Sequence, residues 1–175
     1  MKHVTCILLT ALSLFVPLSA MAQEAEATTP QRPSWTLQVD PLTTYLGYVH
    51  LQVEHAFTPH FSLYAGPHLR LFSAPGAEPE DYRGYGVELG ARWYPFETAP
   101  EGFWTLVRGV GARISTDDNA TFGGYVSGLA GYTAIFADIF VLSGGAGVQY
   151  LHYHIDGLGP KRVFLALHTT LGVAF

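Results

Sequence analysis

The chain has 175 residues, a formal net charge of −5, 49% hydrophobic and only 13% charged residues, with 19 glycines, 11 prolines and one cysteine. This length fits one domain. The acidic balance lacks the basic patch that nucleic-acid binding requires, and Cys6 alone can form neither a disulfide nor a thiolate metal site.

Residues 1–22 read as a cleaved signal peptide. Lys2 and His3 start it, an apolar core runs over 7–18, and Ala20-Met21-Ala22 supplies the small-residue exit before Gln23. Cys6 falls inside this segment and away from the cut, so no N-terminal lipid anchor is expected. Residues 23–34 are polar and carry Pro30 and Pro33, which predicts a disordered periplasmic leader. The remainder, 35–175, is the predicted folded domain.

Eight strand-like segments follow, over 35–42, 47–57, 60–72, 83–96, 102–114, 121–136, 139–155 and 162–175. Most reach the roughly nine to eleven residues that a tilted strand needs to cross a bilayer, and the first is marginal. Glycine and proline are too frequent, and helical periodicity too brief, for a predicted helix. Thr58-Pro59 and Ala137-Asp138 are tight turns, and 95–101 is a longer one. The connections at 73–82, 115–120 and 156–161 are more polar, whereas 43–46 is short. Short turns at one end and longer loops at the other are expected of outer-membrane barrels. Loops two to four would then form the presentation surface.

Alternation assigns the faces. Val49, Leu51, Val53 and Phe57 share one parity, as do Phe61, Leu63, Ala65, Leu69 and Leu71, and Tyr85, Val87, Leu89, Ala91 and Trp93. The other parity carries Gln38, Asp40, His50, Gln52, Glu54, His68, Arg70, Glu88, Arg92 and Arg108, with His168 on the last strand. An arginine facing lipid at mid-membrane costs about 2–4 kcal/mol, so the polar parity should face inward. Charge balance predicts three pairs by height: Glu88 with Arg108 near the middle, Glu54 with Arg92 below, and Asp40 with Arg70 toward the outside. An eight-stranded barrel is only wide enough for side chains to fill it, so the expected interior is plugged. A soluble lipocalin-type barrel would invert this arrangement, with an apolar interior and a polar exterior.

Aromatic residues should mark both boundaries of the membrane. One end has Trp35, Phe57, Phe61, Trp93, Phe103, Phe136, Phe140 and Phe175; the other has Tyr45, Tyr48, Phe72, Tyr85, Phe122, Tyr125, Tyr153 and Phe164. The glycines of strands five to seven, including Gly109, Gly111, Gly128 and Gly144, are expected to relieve curvature in a narrow barrel.

The closing strand alternates through Leu171, Val173 and Phe175, which resembles the assembly signal of bacterial outer-membrane barrels. Asp40-Pro41-Leu42, the stretch 51–57, Phe61-Ser62-Leu63 and the stretch 86–96 resemble the small eight-stranded barrels of the OmpA/OmpX-like, opacity-type set, and most closely a bacterial family of such barrels with no assigned function. The resemblance implies an antiparallel up-and-down transmembrane β-barrel, insertion by the barrel-assembly machinery, and escort by periplasmic chaperones. Surrounding outer-membrane lipid and lipopolysaccharide, a monomer and no cofactor complete the expectation.

Two chemistries compete with a non-enzymatic role. His152, His154 and Asp156 alternate on one face near a rim and form a weak metal candidate, against a solvated rim. Some barrels of this type deacylate lipid A. Here Ser127 or Ser143, His152 or His168, and Glu88 or Asp156 could supply the groups, although no nucleophile-elbow or metalloprotease motif occurs.

Overall fold

The computed structural model describes residues 32–45, 47–70, 83–115, 120–152 and 161–175. Period-two alternation becomes eight antiparallel strands: β1 (Trp35–Val39), β2 (Tyr48–Thr58), β3 (Phe61–Arg70), β4 (Arg83–Trp93), β5 (Gly102–Ser115), β6 (Ala120–Phe136), β7 (Phe140–His152) and β8 (Lys161–Ala174). Each pairs with its neighbour in sequence, and β1 pairs with β8, so the sheet closes into an up-and-down barrel. Among the described residues, no helix is long and apolar enough to cross a membrane.

The turns at one end are tight for identifiable reasons. Ala137 and Asp138 both have positive φ, 53° and 56°, as the central residues of a type I′ turn require, and Ile139 N closes that turn on Phe136 O at 3.1 Å. Thr58 pairs with Phe61 after a register shift at Ala56. The same end holds the seam: Trp35 N donates to Phe175 O at 3.0 Å, and Phe175 N donates to Trp35 O at 2.9 Å. Leu171 pairs with Val39 and Val173 with Leu37, their side chains on the exposed outer wall with that of Phe175. The expected signal peptide, residues 23–31 of the expected leader, and the loops at 73–82, 116–119 and 156–160 lie outside the described residues; the last leader residue, Ser34, is tied to the barrel, its N donating to Phe175 O at 3.2 Å and its O accepting from Ala56 N at 2.8 Å.

Two expectations for the first strand are corrected. β1 stops at Val39, and a short helix α1 (Pro41–Tyr45) follows. Asp40 is its N-cap: Oδ1 accepts from Thr43 N at 3.0 Å and its carbonyl accepts from Thr44 N at 3.1 Å. Proline at the first helical position completes this start signal. Among the described residues the seam is therefore laddered only between 35–39 and 171–175. Farther from Trp35, no strand among the described residues lies between Tyr48–His50 and the first ten residues of β8, and α1 packs beside both strands there.

The barrel is polar within and apolar without. Thr36, Gln38, Asp40, His50, Gln52, Glu54, Ser62, His68, Glu88, Arg92, Arg108, Ser127, Thr133, Ser143, His168 and Thr170 are all buried. Leu37, Val53, Leu63, Val87, Leu89, Val107, Leu142, Val148 and Leu165 are exposed on the wall. All eight aromatics expected at the Trp35 end are exposed. At the other end Tyr45, Tyr85 and Phe122 are exposed, and Phe72 and Tyr153 lie outside the described residues. Tyr48, Tyr125 and Phe164 depart from the expected girdle. Their parity is that of His50, Ser127 and His168, so they turn toward the interior and are half-buried.

Candidate functional site

The interior is organised around two carboxylates. Glu54 on β2 gathers donors from four other places. Ser62 Oγ donates to its Oε1 at 2.5 Å and Tyr94 OH at 3.1 Å, while Gln38 Nε2 donates to its Oε2 at 2.9 Å and Thr36 Oγ1 at 3.4 Å. The guanidinium of Arg92 donates to Oε2 as well. Glu88 on β4 is held through Oε1, which accepts from Tyr64 OH at 2.8 Å and Gln52 Nε2 at 3.2 Å, with Arg108 Nη1 at 3.6 Å. His168 links the two halves. Arg92 Nη2 donates to its Nε2 at 2.8 Å, and Arg108 Nη1 lies 3.4 Å from its Nδ1. The Glu54–Arg92 and Glu88–Arg108 pairs therefore join through one imidazole. Buried charges need such complete pairing, because an isolated ion inside costs several kcal/mol.

Aromatic rings pack around the guanidinium groups. Arg92 lies 5.3 Å from the Tyr64 ring centre and 5.0 Å from that of Trp104, and Arg108 lies 5.5 Å from Tyr125. Trp104 is fully buried and donates from Nε1 to Thr133 Oγ1 at 2.9 Å; Thr133 in turn donates to Ser143 Oγ at 2.8 Å. Trp104 and Tyr94 form the floor of the interior with Leu106 and Leu129. Sequence reasoning passed over Trp104. The signal was its parity, shared with Arg108 and opposite to Phe103.

Glycine makes room for these rings. A Cβ on Gly90 would sit 2.2 Å from the Tyr64 ring, and one on Gly145 would sit 2.5 Å from Trp104. Gly90→Ala is expected to displace Tyr64 from Glu88 and cost about 1–3 kcal/mol, read by urea unfolding in detergent. Gly109→Ala, where nothing lies within 4 Å of the new atom, should leave the midpoint nearly unchanged.

The third expected ion pair is corrected. Asp40 Oδ1 is taken by the cap and by Thr169 Oγ1 at 2.9 Å, and Oδ2 meets no hydrogen-bond partner. Arg70, half-buried, donates to Tyr48 OH at 3.2 Å and stacks over that ring. The start of α1 ties Asp40 to the β8 side of the barrel, whereas Arg70 lies on β3 beyond β2.

The hydrolase candidates do not come together among the described residues. Ser127 Oγ faces Arg108 Nε at 3.5 Å, Ser143 accepts from Thr133, and neither hydroxyl bonds a histidine. His168 is held between two arginines instead. His152 lies exposed at the end of β7, opposite Lys161, while His154 and Asp156 fall outside the described residues. A different trio does converge. His50 and His68, paired across β2 and β3, and Glu88 on β4 bring their ligand atoms within 4.8 Å of one another, all buried.

These features define a class: a closed eight-stranded barrel whose wall is apolar and whose interior is a charged, hydrogen-bonded plug. No protein-family model, curated protein or solved structure matches the chain.

Proposed function

We propose that this chain is an integral outer-membrane β-barrel protein of the OmpA/OmpX-like kind, non-enzymatic, without an open pore, and with a structural or surface-interaction role. The observation that carries this reading is the orientation of the wall. Leucine, valine and aromatic side chains cover the outside of the closed sheet, and Glu54, Arg92, Glu88 and Arg108 are buried inside it. Water would leave that exterior a large apolar surface with no partner, whereas hydrocarbon matches it, and the pairing of β1 with both β2 and β8 closes the sheet at the Trp35 end. The exposed aromatics at the Trp35 end fit a membrane boundary. A lipocalin-like carrier would need the reverse arrangement. The buried Arg92, Trp104, His168 and Glu54 side chains fill the middle of the interior, which favours a plug over a porin-like channel.

On this reading the signal peptide directs export, and the barrel-assembly machinery and periplasmic chaperones handle the chain before lipid and lipopolysaccharide surround it. Surface contact falls to the connections that follow β3, β5 and β7. The test is fractionation of cells expressing the chain. The protein should resist a sodium carbonate wash and should migrate differently on a gel before and after heating. Complete release into the soluble fraction would overturn the membrane reading. Large, steady conductance in planar bilayers would overturn the plugged interior.

A further inference from the structure

We propose that His50, His68 and Glu88 form a binding site for one divalent transition metal ion, zinc being the best fit, inside the barrel. The inference rests on the fold alone and does not need the membrane reading.

The register of three adjacent strands builds the site. His50 on β2 faces His68 on β3, and His68 in turn pairs with Gly86, two residues before Glu88 on β4. Period-two geometry points all three side chains to the same side of the sheet. The two imidazoles meet edge to face with ring centres 4.2 Å apart, and His50 Nδ1 approaches Glu88 Oε2 at 2.8 Å. His50 Nδ1 and Glu88 Oε2 are thus each other's polar contact, whereas His68 Nδ1, buried beside them, has no hydrogen-bond partner. An unsatisfied buried nitrogen costs about 1–3 kcal/mol, so this point of the interior calls for a further partner. A cation bound by lone pairs satisfies His68 and takes the place of the proton between His50 and Glu88.

The neighbouring groups act as supports for the ligands. Glu88 Oε1 is already fixed by Tyr64 and Gln52, with Arg108 on the same oxygen. The carboxylate is thus anchored by one oxygen and presents the other to the histidines, the arrangement by which outer groups orient metal ligands. The charge of Arg108 opposes a cation, but it lies 3.6 Å from the oxygen that faces away from the histidines, and it is also engaged by Tyr125 and Ser127. Access is provided where β1 is missing. A cavity of about 320 Å³ reaches His50 and His68 past Thr43 of α1, Tyr48, Tyr125 and Gln149.

The donor set selects the ion. Two imidazole nitrogens and one carboxylate suit zinc, with a water completing a tetrahedron, whereas calcium and magnesium prefer oxygen alone. Tetrahedral zinc places its ligand atoms about 3.4 Å apart. The present spread of up to 4.8 Å closes by rotation of the histidine side chains.

The test is a titration of the full chain, folded in detergent and stripped with chelator, with Zn²⁺ and then with Co²⁺ as an optical probe. One ion per chain is expected, with the intense visible absorption of tetrahedral Co²⁺ and a higher unfolding temperature. His50→Phe and His68→Phe should each weaken binding by roughly a hundredfold, and Tyr64→Phe, which keeps the ligands and loosens Glu88, by about tenfold. His152→Ala, outside the barrel interior, should bind as the parent does. Because Glu88→Gln could disturb Arg108 and folding, the histidine variants carry the conclusion, with heat-modifiable migration as the folding check. Absence of stoichiometric binding, or binding unaffected in both histidine variants, would overturn the site. A carbonate-resistant chain that binds no zinc would sink this proposal alone. A water-soluble chain that binds zinc would sink only the membrane reading.

Discussion

Glu54→Ala is expected to be among the most damaging single substitutions in this protein, lowering stability by about 3–5 kcal/mol. The carboxylate is the common acceptor for Thr36, Gln38, Ser62, Arg92 and Tyr94. Its removal strands a guanidinium that is fully buried between Tyr64 and Trp104. The cost comes chiefly from that uncompensated charge and less from the lost contacts. It follows that Glu54→Ala combined with Arg92→Met should be markedly less unstable than Glu54→Ala alone, because the orphaned charge is removed with its partner. Equilibrium unfolding of the single and double variants in detergent measures this as a coupling energy. A loss in the double variant equal to the sum of the losses for Glu54→Ala and Arg92→Met alone would show that the pair is not coupled.

Leu89→Arg is the second large effect, and its size depends on what surrounds the wall. Leu89 is 60% exposed and pairs with Ala65 on β3 and Gly109 on β5, well inside the strand ends. In a bilayer, arginine at that depth should cost about 2–4 kcal/mol. Tyr85→Arg, nearer the end of β4, should cost no more than about 1 kcal/mol because the charge reaches the interface. Reversible folding into lipid vesicles against urea separates the two. In water an exposed Leu89→Arg substitution is close to neutral, so a negligible loss for Leu89→Arg in vesicles would count against a hydrocarbon environment.

Alternation carried most of the architecture because a closed sheet has only two sides. Once Arg92 and Arg108 are assigned to the interior, the parity of β4 and β5 follows, and with it the Glu54–Arg92 and Glu88–Arg108 pairs. The failures sit where a local signal competed with period two. Asp40-Pro41 is a helix start, with a capping carboxylate and a proline at the first turn, yet it continues the alternating pattern of β1. The same error mispaired Asp40 with Arg70, since capping fixes the carboxylate on the β8 side. Tyr48, Tyr125 and Phe164 were placed by their position near strand ends, whereas parity, the stronger constraint, turns them inward. The cluster of His50, His68 and Glu88 was visible only as three members of one polar face. Its convergence depends on the register between β2, β3 and β4, which no single strand encodes.

The three tryptophans give the most direct test of which side of the wall meets lipid. Trp35 and Trp93 are on the outer surface, and Trp104 is fully buried within. Variants retaining one tryptophan each, the others changed to phenylalanine, would be folded into vesicles containing brominated lipid, which quenches fluorescence on contact. Trp35 and Trp93 should be strongly quenched and Trp104 should keep its emission. Quenching of Trp104 with protection of Trp35 and Trp93, or no quenching at any of the three, would contradict an apolar wall set in lipid around a polar core.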